Sequence, residues 1–114
     1  MNAPVQVPEI DPTQAAALAD RHEVLLLDVR EPHEWEGGHA PQALHTSLGT
    51  LDPSTVPRDR PVVAVCRSGN RSGTAALQLA AAGIQVSNMA GGMGAWVEAG
   101  LPIVRSDGTA GEVL

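Results

Sequence analysis

Pro61-Val62-Val63-Ala64-Val65-Cys66-Arg67-Ser68-Gly69-Asn70-Arg71-Ser72 is the stretch on which the fold turns. Its first half, opened by a proline, is a continuous Val-rich run, the pattern of a parallel strand buried on both faces. Its second half is abruptly polar from Arg67 to Gly73 and leads into Thr74 to Ala82. That segment is an Ala/Leu-rich helix closed by Gly83, where a left-handed cap is wanted. A buried strand that feeds a helix through a short polar loop is half of a βαβ unit, and in such sheets ligands bind beyond the carboxyl ends of the strands. Cys66 stands at such an end.

Outward from this stretch the same alternation repeats. Asp11-Pro12 reads as N-cap and first helical position for Thr13 to Asp20, with Ala15, Leu18 and Ala19 on one face. Val24 to Leu27 is a second apolar run, ending at Asp28. Ile84 to Met89 predicts a further strand, Gly91-Gly92 a turn, and Met93 to Ala99 a last helix stopped by Gly100 and Pro102. Strands alternating with helices imply right-handed crossovers and a parallel sheet covered on both sides, an α/β class. Residues 1–8 and 105–114, rich in Gly, Pro and small polar residues, are expected to be loose ends around one domain over 9–104.

Composition narrows the function. The 114 residues carry 7 basic against 13 acidic side chains, and every basic one is an arginine. A net charge of -6 argues against nucleic acid, whose binders need a basic face. The apolar runs are far too short to span a bilayer, so a soluble, cytoplasmic protein without membrane contact is expected. The single cysteine excludes an intramolecular disulfide and any Cys-x-x-Cys pair. His22, His33, His39 and His45 show no metal-binding spacing, so no metal is expected.

The thiol of Cys66 therefore has to be explained alone. Its loop joins strand to helix, so the backbone N–H groups should converge just above the sulfur and form an anion cradle. A free thiol titrates near 8.5, and lowering that by two units takes about 2.7 kcal/mol of selective thiolate stabilisation. A helix N-terminus supplies about 0.3 to 1 kcal/mol and at most about 2, so loop hydrogen bonds or the charges of Arg67 and Arg71 must add the remainder. Gly69 allows a positive φ within the loop, Asn70 tolerates one, and Ser72 can cap the helix that follows.

Four segments together resemble the single-domain form of the rhodanese-like family. They are Leu27-Asp28-Val29-Arg30 with Glu34-Trp35 after it, Gly38-His39-Ala40-Pro41, Cys66 to Ser72, and Gly91-Gly92-Met93-Gly94-Ala95-Trp96. The chain departs from the family pattern at Gln42, where glycine is usual, and at Trp35, where Phe or Tyr is usual. The resemblance implies a three-layer α/β/α domain around a five-stranded parallel sheet. It also implies a thiosulfate sulfurtransferase in which Cys66 is the catalytic residue and Arg67, Ser68, Gly69, Asn70, Arg71 and Ser72 bind the substrate. Cys66 would take the outer sulfur of a donor such as thiosulfate and pass it, as a persulfide, to an acceptor thiol or cyanide. The loop amides and Arg71, with Arg67 as a second cation, would hold the anion. No cofactor is implied, and a sulfur-relay protein is a further potential partner.

Two other functions compete. Cysteine-dependent phosphatases and arsenate reductases resemble Cys followed by five residues and Arg, whereas only four separate Cys66 from Arg71. Non-catalytic, regulatory rhodanese-like modules commonly lack the cysteine. Elsewhere, Asp28 and Arg30 are expected to form structural pairs with Glu31, Glu34 or backbone, and Glu31, Glu34 and Glu36 to be the solvated side of a short helix. Trp35 and Trp96 are expected to pack on the core and His39 to stabilise a turn.

Overall fold

A computed structural model describes residues 6–114; the expectation of a loose segment over 1–5 lies outside the described residues. Glu9–Ile10 (β1), Leu25–Asp28 (β2), Leu44–His45 (β3), Val62–Val65 (β4) and Val86–Met89 (β5) form one wholly parallel sheet in the order β1-β5-β4-β2-β3. Pro12–Asp20 (α1), Pro32–Gly37 (α2), Asn70–Ala81 (α3) and Gly92–Glu98 (α4) connect the strands, with short 3-10 turns at Leu48–Thr50 and Pro53–Thr55. β2 leads outward to β3 and β4 leads outward to β5 on the other side. The chain therefore reverses direction between β2 and β4, and their carboxyl ends frame the crevice where such sheets bind ligands.

Both central strands are buried along their whole length, which is why they read as unbroken apolar runs. Alternate residues face opposite layers. Leu25, Leu27, Val62, Ala64 and Cys66 meet Ala75, Ala76 and Leu79 of α3 on one face. Leu26, Val63 and Val65 meet Ala15, Ala16 and Ala19 of α1 and Met93 and Trp96 of α4 on the other. The three layers are thus α3, the sheet, and α1 with α4. Alanine dominates both inner helix faces because it lets helix backbone approach the sheet closely. Among the described residues no helix is long and apolar enough to cross a membrane.

Several boundaries move from the expected ones. β1 and β3 are two residues each, too short to leave a periodic signal. α3 begins at Asn70 rather than Thr74, because Gly69 at φ +109 is its N-cap and the polar loop residues form its first turn. Gly83 does end it, at φ +85. Trp96 is fully buried, and its indole N–H donates to the Pro102 carbonyl at 2.9 Å. Trp35, by contrast, is only half-buried. It stacks on His39 (centroids 3.5 Å apart) and His45 (5.0 Å) instead of entering the core. The segment after Pro102 runs back along the domain, where Val104 bridges both His39 and Ala110, and the Glu112 N–H donates to the Gly37 carbonyl at 2.9 Å.

Trp96 is the largest side chain in an otherwise aliphatic core. Trp96→Ala should lower the unfolding free energy by about 3 to 5 kcal/mol, read as a shift of the urea midpoint at unchanged slope. A loss below about 1 kcal/mol would mean that the ring does not carry this face of the core.

Candidate active site

Cys66 follows β4, and its residue is only 1% exposed. Two hydrogen bonds decide the shape of the loop after it. Met93 N–H donates to the Cys66 carbonyl at 2.8 Å and Gly94 N–H to the Arg67 carbonyl at 3.0 Å. The first turn of α4 thus takes up the carbonyls at the start of the loop, and the loop amides are left to turn inward. Gly92 makes this approach possible. It adopts φ +59, and a Cβ there would lie 2.6 Å from the Arg67 carbonyl oxygen. Both features exclude a side chain, which is the physical content of the second glycine in Gly91-Gly92.

The inward groups meet the sulfur. Gly69 N–H donates to Sγ at 3.0 Å, and the Ser72 hydroxyl lies 3.2 Å from it. Burial pushes the thiol up. The Ser72 hydroxyl and the backbone N–H groups of Ser72, Gly69 and Ser68 pull it down and prevail, so Cys66 titrates below the ordinary thiol value. Gly69, whose N–H reaches the sulfur, is also the N-cap of the 12-residue α3.

The expected site residues divide into three groups. Ser68, Gly69 and Ser72 converge on the sulfur. Ser72 does not cap α3. It sits in the first turn, fully buried, and its hydroxyl lies between Sγ and Asn88 Oδ1. Asn70 opens α3 with its side chain exposed. The two arginines are engaged elsewhere. Arg67 Nε donates to the Leu114 carbonyl oxygen. Arg71 Nη1 and Nη2 form a fork on Glu34 Oε1 and Oε2 at 2.6 and 2.9 Å.

Glu34 is therefore not on a solvated helix side, as expected, but buried to 8% exposure. It is the third residue of α2, where its Oε1 also accepts from the Glu31 N–H at 3.1 Å. The hydrogen bonds from Arg71 hold its carboxyl at about 2 against the opposing effect of burial. Arg71 is pushed up in turn, chiefly by Glu34 and in smaller part by the charge on Cys66. Asp28 and Arg30 likewise pair with each other rather than with Glu31 or Glu34. They are wholly buried, with Nη2 to Oδ2 at 2.8 Å, and Arg30 Nη2 also donates to the Gly38 carbonyl. His39 does brace a turn, its Nδ1 lying 2.8 Å from the Trp35 carbonyl.

Asn88 of β5 escaped the sequence reading. It is 8% exposed, its Nδ2 donates to the Gly69 carbonyl at 3.0 Å, and its Oδ1 accepts from Ser72 at 2.6 Å. The polar pair Ser87-Asn88 inside the strand between Val86 and Met89 was the available signal.

The family model of the rhodanese-like domain matches residues 11–99. This chain belongs to the rhodanese-like family. A sulfurtransferase of Allochromatium vinosum is 44% identical over 94 residues, 80% of this chain and 88% of that protein. An uncharacterized protein of Synechocystis is 40% identical over 100 residues, 85% of this chain and 56% of that protein, so this chain spans about half the length of that relative. The crystal structure of a rhodanese-related protein from Thermoplasma volcanium superposes with a TM-score of 0.79 at 27% identity, covering 85% of this chain and 97% of that one. The rhodanese-like domain thus has the three-layer arrangement and five-stranded parallel sheet that its motifs imply.

Two outcomes follow from this geometry. Gly92→Ala should cost more than about 2 kcal/mol, from the forced left-handed backbone and the collision with the loop, and should slow Cys66 alkylation; unchanged unfolding would contradict the close approach. Glu34 has its carboxyl lowered from the usual 4.5 to about 2, so its contribution to stability is present in full above 4.5 and is lost as pH falls through about 2. Glu34→Gln should flatten that part of the acid unfolding curve, and a curve of unchanged steepness would contradict the pairing.

Proposed function

We propose that this rhodanese-like domain is a sulfurtransferase that takes the sulfane sulfur of thiosulfate onto Cys66 and hands it to cyanide or an acceptor thiol. The observation that carries this reading is the hydrogen bonding of Cys66 Sγ, by the Gly69 amide at 3.0 Å and the Ser72 hydroxyl at 3.2 Å, at the head of α3. A thiol so placed gives up its proton more readily than an ordinary one, and the thiolate so formed is the nucleophile.

In the first displacement the Cys66 thiolate donates an electron pair to the outer sulfur of thiosulfate. A Sγ–S bond forms, and the S–S bond of the donor breaks with its electron pair leaving on sulfite. In the second, the acceptor attacks the outer sulfur of the persulfide. The Sγ–S bond breaks, its pair returns to Cys66 as thiolate, and the acceptor departs as a persulfide or as thiocyanate. No net oxidation of the protein occurs. Between the steps the negative charge sits one atom beyond Sγ, where the amides of the loop from Arg67 to Ser72 supply donors. Arg71 and Arg67 contribute positive potential. With the Arg71 fork taken by Glu34 and Arg67 turned to the tail, direct contact with the donor falls to the backbone.

The same features favour sulfur over phosphoryl transfer. A phosphatase cradle needs its arginine fork for the phosphoryl oxygens, and here that fork is occupied by a buried carboxylate. The short loop around a buried cysteine suits the uptake of one atom better than that of a tetrahedral group.

After incubation with thiosulfate and removal of excess reagent, the intact protein should gain the mass of one sulfur atom, returned to the original mass by cyanide. Cys66→Ser should abolish both the gain and thiosulfate:cyanide turnover, with no phosphatase activity in either protein. Absence of the adduct on the unsubstituted chain would overturn the reading and favour a non-catalytic binding module.

A further inference from the structure

Asn88 and Ser72 share a single proton with the sulfur, and its direction can be deduced. The side-chain amide of Asn88 is oriented by its Nδ2, which donates to the Gly69 carbonyl at 3.0 Å. Its Oδ1 is thereby turned to Ser72 Oγ, 2.6 Å away, and an amide oxygen can only accept. Ser72 must supply that proton, and a hydroxyl has only one. When it points to Asn88, the Ser72 oxygen offers Cys66 Sγ, 3.2 Å away, a lone pair. A lone pair suits an S–H group and opposes a thiolate. Ionisation of Cys66 therefore swings the Ser72 proton from Asn88 Oδ1 to Sγ and leaves a buried acceptor unpaired, a state with its own free-energy cost.

We propose that Asn88 is a positioning residue that sets which way the Ser72 hydroxyl donates, and through it how readily Cys66 ionises. Its consequence for turnover rests on the sulfurtransferase reading above. Once Sγ carries a sulfane sulfur, the negative charge lies on the outer atom, Sγ no longer needs the hydroxyl, and the proton returns to Asn88. Asn88 thus disfavours the free thiolate relative to the persulfide and biases the first displacement toward the loaded state. The charged groups around the sulfur are Arg71 from α3, paired with Glu34 of α2, and Arg67 in the loop, turned to Leu114. Asn88 of β5 and Ser72 of α3 are uncharged, so replacing Asn88 by an apolar residue leaves that charge pattern intact.

The test is the pH dependence of Cys66 alkylation by iodoacetamide in four proteins: unsubstituted, Asn88→Leu, Ser72→Ala and the double variant. Alkylation needs no sulfur donor, so the result can be read even if the protein transfers no sulfur. Asn88→Leu should lower the midpoint by about one pH unit, a tenfold change worth about 1.4 kcal/mol, and the same substitution should have no effect in the Ser72→Ala background. An equal shift in both backgrounds would mean that Asn88 merely supports the loop through Gly69. Either that result, an upward shift or the absence of any shift would overturn the proposal. A second measurement needs no substitution: the Asn88 side-chain carbonyl resonance should move with the ionisation of Cys66, and a resonance flat through that titration would also overturn it.

Discussion

Two backbone hydrogen bonds, from Met93 and Gly94 of α4 to the carbonyls of Cys66 and Arg67, decide what the loop can do. Each peptide group has its N–H and C=O on opposite sides, so fixing where the carbonyls go also fixes where the amides go. With the Arg67 carbonyl drawn toward α4, the Ser68 amide of the same peptide group is turned to the sulfur, where the Gly69 and Ser72 amides join it. The left-handed Gly69 then turns the chain directly into α3. The Gly91-Gly92 pair and the cysteine loop are two halves of one device, although 24 residues lie between Cys66 and Gly91.

The charged residues support this device more than they contact a ligand. The Asp28–Arg30 pair is fully dehydrated, and its second tie, from Arg30 to the Gly38 carbonyl, anchors the end of α2 to the end of β2. Such a pair is weak evidence for stability but fixes geometry, because separating either partner leaves a buried charge unpaired. α2 so anchored presents Glu34, and Glu34 holds Arg71 on the first turn of α3. Two ion pairs joined by the hydrogen bond from Arg30 to the Gly38 carbonyl thus connect the sheet through α2 to the loop. At the loop end Arg71 lies near the sulfur with its fork already satisfied.

The core and the nucleophile were legible in the sequence because they obey local rules. Val62 to Val65 and Leu25 to Leu27 are buried on both faces and read so, and Cys66 stands at a strand end before a helix. β1 and β3 were illegible because two residues cannot establish a period. Glu34 looked solvated because α2 is a six-residue helix, too short for its buried side to differ from its exposed one in composition. Its partner Arg71 is 37 residues away, and no local rule reaches that far. Ser72 resembled a cap because it is a serine near a helix start. Gly69 took that place, and Asn88, supplied by a neighbouring strand, gave the hydroxyl a different task.

Everything asked of the loop reduces to the ionisation of one buried thiol. The most direct measurement is the midpoint of Cys66 alkylation against pH in the unsubstituted protein, with unfolded chain in denaturant as the reference. The account predicts a midpoint in the folded protein below that of the unfolded thiol. A folded midpoint equal to the reference or above it would show that burial outweighs the converging amides, and would contradict the account.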